Sequence, residues 1–135
     1  LACALGQYAC HQGRSVRYLH TPRLPEEVRI LQASGTYTKW LPQTAKIDVL
    51  ILDDWGLVCL DVPTRQALME LLDDRCAARA TVITSQLPVE HWDAWISEPA
   101  MADAMMDRLL QNTQRIVLTG ESLRTTKSGN QAPQP

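Results

Sequence analysis

The sequence predicts an α/β domain built on a mostly parallel sheet, and three observations carry that expectation. Short β-type runs alternate with segments of helical periodicity along nearly the whole chain. Two of the runs, at 48–53 and 81–85, are apolar on both faces, the pattern of strands covered by helices on either side. With 135 residues, 45% of them hydrophobic, the chain has room for one ordinary domain and a sizeable core.

Each element follows from its own pattern. Residues 1–12 place Leu1, Ala4, Leu5 and Tyr8 at helical spacing, and Gly13 stops the run. SVRYLH (15–20) reads as a strand. Pro22 and Pro25 punctuate, after which EEVRILQAS forms a helix ending at Gly35, and residues 36–47, with Tyr37, Trp40 and Leu41, form another. The apolar strand 48–53 comes next. VPTRQALMELLDDRCAARA then puts Leu68, Leu71, Leu72 and Cys76 on one helical face. TVITS (81–85) is a strand stopped by Pro88. Met101, Met105, Leu109 and Asn112 mark an amphipathic helix over 99–112, and RIVLTG (115–120) closes the sheet. Residues 125–135, TTKSGNQAPQP, read as a disordered tail.

Composition narrows the function classes. A formal net charge of -2 carries no global basic field for nucleic acid. Arg14, Arg17, Arg23 and Arg29 read as a solvated face, with a DNA-facing side as the alternative. The apolar runs are too short to cross a bilayer, so no membrane association is expected. Cys3, Cys10, Cys59 and Cys76 show no metal-ligand spacing and are expected as buried, reduced thiols of a cytoplasmic protein. The chain opens inside a helix pattern with neither a basic leader nor an initiator Met, which reads as a fragment.

One stretch asks for a chemical explanation. VLILDDWG (49–56) ends a buried strand in two adjacent carboxylates, and like charges at a core edge repel and resist desolvation. Ligands of open α/β sheets bind beyond the carboxyl ends of the strands, where Asp53 and Asp54 fall. A Walker B arrangement resolves the electrostatic cost, since Mg²⁺ makes the paired charges favourable while the second carboxylate polarises a water. A strand ending in a solvated acidic turn has the same spacing. In TVITSQLP, Thr84, Ser85 and Gln86 reach the same edge, where a neutral polar side chain can touch a γ-phosphate; an ordinary strand-to-loop transition is the alternative. Arg108, in MMDRLLQN, suits a finger offered to a neighbouring subunit's nucleotide. Its alternative is an intrahelical pair with Asp107 or Asp103, the latter five residues away and poorly placed.

VLILDDWG, TVITSQLP and MMDRLLQNTQRIVLTGESLR, in this order and spacing, resemble the IstB-type transposition helper ATPases. These are AAA+ P-loop proteins similar to DnaC-type helicase loaders. LACALGQYACHQGRSVRYL resembles the helix and second strand that follow the family's phosphate loop, so the likeness runs from Leu1 to Arg124. It implies a three-layer AAA+ ATPase domain over 1–124, incomplete because its first strand and Walker A loop are missing. That strand would lie between 81–85 and 115–118.

The resemblance further implies ATP and Mg²⁺ as cofactors, with Asp53 as magnesium carboxylate and Asp54 as the catalytic acid. Ser85 and Gln86 fall at the sensor position, and Arg108 is the finger acting in trans. Trp55 and Gly56 shape the turn. DNA, a transposase and further copies packed head to tail are the implied partners. Nowhere does G-x-x-x-x-G-K-[ST] occur, so this chain by itself is expected to bind ATP poorly. A DnaC-like helicase loader and a catalytically dead interaction fragment are the competing readings.

Overall fold

The computed structural model describes residues 1–120. Three parallel strands form the sheet, β1 (Val16–His20), β2 (Val49–Asp53) and β3 (Ala80–Ile83), in the order β1-β2-β3. β2 is central, as its two-faced apolarity requires. The register aligns Tyr18 with Ile51 and His20 with Asp53 on one side, and Leu52 with Ile83 on the other.

Alternation along β2 divides the core between two layers. Leu50 and Leu52 point into the main cluster, together with Leu19, Leu68, Leu71 and Met105. That layer holds α2 (Leu24–Ala33), α3 (Tyr37–Ala45), α4 (Val62–Arg75), α5 (Trp92–Ile96) and α6 (Pro99–Leu110). Ile51 points the opposite way, beneath α1 (Ala2–His11). Gly6 is the only fully buried residue of α1, and a Cβ there would meet Ile51 Cδ1 at 3.0 Å and Val16 Cγ1 at 3.3 Å. Glycine therefore sets how closely this helix approaches the sheet. The expected α/β architecture with a parallel sheet is the observed one.

Three expectations are corrected. Leu1, Leu5 and Tyr8 do not face the core: they are 70%, 44% and 66% exposed, because α1 docks through its small-residue side at Ala2, Gly6 and Ala9. The same orientation leaves Cys3 and Cys10 exposed; Cys59 is exposed too and Cys76 half-buried, so the thiols are free but not buried. RIVLTG forms no strand among the described residues. Ile116, Val117 and Leu118 lie outside any strand and are 69–74% exposed, since no neighbouring strand among the described residues supplies ladder hydrogen bonds. The tail at 125–135 and Arg124 lie outside the described residues.

One boundary also moves, and one helix is added. α4 stops at Arg75 and not near residue 80, because the Arg75 side chain turns inward and Ala77 takes a left-handed φ of 61°. Arg75 is 2% exposed and donates to the carbonyls of Thr44 (3.2 Å), Ala45 (3.2 Å), Ile47 (2.5 Å) and Ala80 (2.5 Å) and to Thr81 Oγ1 (3.1 Å). It thus serves the orphan carbonyls at the end of α3 and ties them to β3. Burial pushes its pKa down to about 10. The short α5 is an addition, its Trp92, Trp95 and Ile96 spaced i, i+3, i+4 between two prolines.

Candidate functional site at the carboxyl end of the central strand

Asp53 ends β2 on the same face as Ile51, and β1 supplies its neighbours through the parallel register. Tyr18 and His20 alternate onto that face as i and i+2 of their strand. The Tyr18 hydroxyl donates to Asp53 Oδ2, and from β3's carboxyl end the Thr84 hydroxyl donates to Asp53 Oδ1. Burial raises the Asp53 pKa. The hydrogen bonds from Thr84 and Tyr18, the Asp54 amide and the charge of His20 outweigh it, so the net shift is downward and the carboxylate stays ionised. Reciprocally, the hydrogen bond to Asp53, then burial and the charges of Asp53, Cys3 and Asp54, push Tyr18 up to about 12. Cys3 acts at this range because the amino-terminal turn of α1 comes up beside the carboxyl ends of the strands.

Asp54 begins the turn with a φ of 56°, a left-handed conformation that aspartate tolerates better than most residues. Its amide donates to Thr84 Oγ1 (3.1 Å) and its carboxylate meets His20 Nε2 at 2.8 Å. Trp55 continues the ladder, its amide donating to the Thr84 carbonyl at 2.9 Å. The Trp55 ring, 1% exposed, packs against Trp92 and Trp95 with centroids 5.7 and 4.9 Å away. Gly56 has a φ of 89°, and a Cβ there would come within 2.9 Å of Leu87 Cδ2. The turn shaping expected of Trp55 and Gly56 is thus what they do.

The remaining expected site residues are dispersed. Ser85 is engaged in its own loop: its hydroxyl donates to the Trp55 carbonyl at 2.5 Å and accepts from the Leu87 amide at 3.0 Å. Gln86 is exposed and lines a cleft of about 230 Å³ with Asp54, Trp55, Gly56, Leu57 and Leu87. Arg108 does not join them. Its Nε meets Asp73 Oδ1 at 2.5 Å and its Nη1 donates to the Ala104 carbonyl at 2.8 Å, so neither Asp103 nor Asp107 is its partner. α4 must carry the chain from the carboxyl end of β2 back to the amino end of β3. Asp73 lies eleven residues beyond Val62, about 16 Å along that helix at 1.5 Å per residue. Arg108 therefore sits at the far end of the layer from its own chain's Asp54. Of the four arginines 14, 17, 23 and 29, Arg29 pairs with Glu26 at 2.5 Å and Arg17 bonds Thr44 Oγ1 at 2.6 Å.

Tyr18, His20 and Thr84 are the site residues that sequence reasoning did not single out for a role. The alternation of SVRYLH and its shared edge with Asp53 carried the signal for the first two; Thr84 was visible as one of three polar residues there, with nothing in the sequence to rank them. Oxygen donors dominate, and among the described residues no group of three or more His, Cys, Asp or Glu could hold a metal by itself. That donor set fits Mg²⁺, which takes one or two carboxylates and fills its remaining positions with phosphate and water.

The three-stranded parallel sheet, its central strand closing in two aspartates, has the fold of the P-loop AAA+ proteins. Solved structures agree: the replication initiator DnaA, bound to AMPPCP and single-stranded DNA, superposes with a TM-score of 0.67 at 17% identity over 77% of this chain and 33% of that one. DnaI superposes at 0.59 with 22% identity, over 67% of this chain and 50% of that one. The chain belongs to the IstB-like ATP-binding protein family, which it matches over residues 1–131. It is 48% identical over 124 residues to an insertion sequence ATP-binding protein of Sinorhizobium fredii, covering 92% of this chain and 51% of that protein. An IS1162 ATP-binding protein of Pseudomonas fluorescens is 55% identical over 87 residues, 64% of this chain and 38% of the relative. The chain thus spans about half the length of the curated relatives it matches.

Proposed function

We propose that this chain is the magnesium-and-water half of an ATP-hydrolysing helper that acts with a transposase on DNA during movement of an insertion sequence. The observation that carries the reading is the pair Asp53–Asp54, one carboxylate held ionised by Tyr18 and Thr84 and the other held by His20. Asp53, with the Thr84 hydroxyl beside it, would hold Mg²⁺; the bound ion would neutralise phosphate charge. Asp54 would orient and polarise the attacking water. Gln86, at the cleft beside Asp54, is better placed for the γ-phosphate than Ser85, whose hydroxyl closes its own loop.

Arg108 is out of reach of its own site, which supports a head-to-tail assembly in which it serves the next copy. The relatives are insertion sequence ATP-binding proteins; a transposase and DNA would be the partners, and the cytoplasm the setting. The helicase-loader alternative has fold likeness alone behind it, since DnaI is 22% identical.

Asp54→Asn in the full-length protein tests the reading. ATP binding should persist within about twofold while phosphate release falls by about 100-fold or more, the usual worth of a positioned general base. Undiminished turnover would remove Asp54 from its role.

A further inference from the structure

The ion pair between α4 and α6 has a geometry that a structural clamp does not need. We infer that Asp73 is the positioning residue of Arg108, holding its guanidinium so that the outer edge is presented to an anionic oxygen pair on a second copy of this chain. The inference rests on the proposed role of Arg108 as a finger and adds the group that aims it.

Arg108 carries five N–H donors in a plane. Two are occupied on opposite flanks: Nε on Asp73 Oδ1 at 2.5 Å and one Nη1 proton on the Ala104 carbonyl at 2.8 Å. Anchors from two different helices fix both the position and the plane of the group. The Nη1–Nη2 edge that remains is the end-on fork whose spacing matches two oxygens of a phosphate or carboxylate. No acceptor among the described residues engages that edge.

Docking of α6 does not require the pair. Ala102 and Met105, 3% and 0% exposed, already seat the helix in the cluster with Leu68, Leu71 and Leu72. The Asp73 side chain is 54% exposed and that of Arg108 30%, and a pair so hydrated adds little to stability. Its effect falls on orientation. A floppy arginine must lose rotamer freedom when it meets a phosphate, whereas a pre-aimed one has already lost it.

The test uses the full-length protein with Arg108→Ala, Asp73→Ala and Asp73→Asn. Arg108→Ala should lower kcat by about 1,000-fold, the worth of a finger, with analogue binding unchanged. Asp73→Ala should lower kcat by about 10- to 100-fold through misplacement alone, KM and the thermal midpoint holding. Asp73→Asn keeps a carbonyl acceptor and should fall between. In the ¹H–¹⁵N spectrum the Arg108 Nε–H should exchange slowly in the wild type and Asp73→Asn, and fast in Asp73→Ala. Subunit mixing reads the finger separately from the site: Asp54→Asn subunits should rescue Arg108→Ala subunits, and Asp54→Asn/Asp73→Ala subunits should rescue them about 10- to 100-fold less well.

If Arg108→Ala is inactive while Asp73→Ala matches the wild type in kcat and exchange, the aiming role falls and the finger stands. If Arg108→Ala turns over normally, both fall. If Asp73→Ala lowers the thermal midpoint steeply, the pair is a clamp and the inference is wrong.

Discussion

Tyr18 and Asp53 illustrate what one hydrogen bond does to two titrations. The phenol keeps its proton to about 12 because losing it would set an anion against a carboxylate, and the same bond helps hold Asp53 below its ordinary range. The sign of the pH dependence follows. Tyr18 has a raised folded-state pKa, so its stabilisation is intact below about 10 and is lost as pH climbs toward 12; Asp53 has a lowered one, so its share fades as pH falls through the carboxylate range. Ultraviolet absorbance titration should find Tyr18 ionising at about 12, and Asp53→Asn should return it toward its ordinary value near 10. A Tyr18 that ionises near 10 in the unmutated chain would deny the bond. Asp54 shows a second residue-scale effect. Its left-handed φ of 56° is the kind of local strain that persists only where its surroundings hold it, here His20, Thr84 and the Trp55 ladder bond.

At the scale of elements, Arg75 joins three of them. The end of α3, the end of α4 and the start of β3 share one buried guanidinium. Arg75→Leu would take the guanidinium donor from the Ala45 and Ile47 carbonyls in the interior, while the Thr44 carbonyl keeps the Ile47 amide. It should cost about 3 kcal/mol or more in urea unfolding, at the upper end for losing a single group; a loss under about 1 kcal/mol would mean that water reaches the carbonyls. The same scale explains what the sequence revealed. β2 was legible because a strand buried on both faces leaves a run of apolar residues, and α4 because Leu68, Leu71 and Leu72 recur on one face; β3 shows a similar apolar run, yet as an edge strand it is only half-buried. The docking face of α1 was not. Hydrophobic periodicity assigns large side chains to the core, but here close approach to Ile51 demanded the smallest residue, and Leu5 and Tyr8 were left outside. Arg108 was misread locally for a related reason: helical spacing ranks partners on the same helix, while Asp73 arrives from another.

For the molecule as a whole, the sheet has an edge that matters. β3 pairs with β2 alone among the described residues, and Ile116, Val117 and Leu118 stand exposed nearby in sequence order after α6. Free ladder groups and an exposed aliphatic run invite pairing between chains. The 135-residue chain should self-associate at micromolar concentrations in sedimentation, and Val117→Lys should shift it toward monomer. Monodisperse behaviour of the unmutated chain would show that the edge is covered by some other means. The strand expected at 115–120 failed for want of a neighbour, which no local pattern can report, because strand formation is decided by pairing and not by propensity. By contrast the acidic pair was readable from sequence because the strand end is marked where the apolar run VLIL stops.

The three indoles behind Asp54 have an optical consequence. Trp55, Trp92 and Trp95 hold their rings 4.9–5.7 Å apart at mutual tilts of 49° and 60°, close enough for their excited states to mix. Such mixing writes a split, signed band into the circular dichroism of the chain. Trp55 adjoins Asp54, so a rearrangement of the acidic turn would change the sign or spacing of that band without any added label.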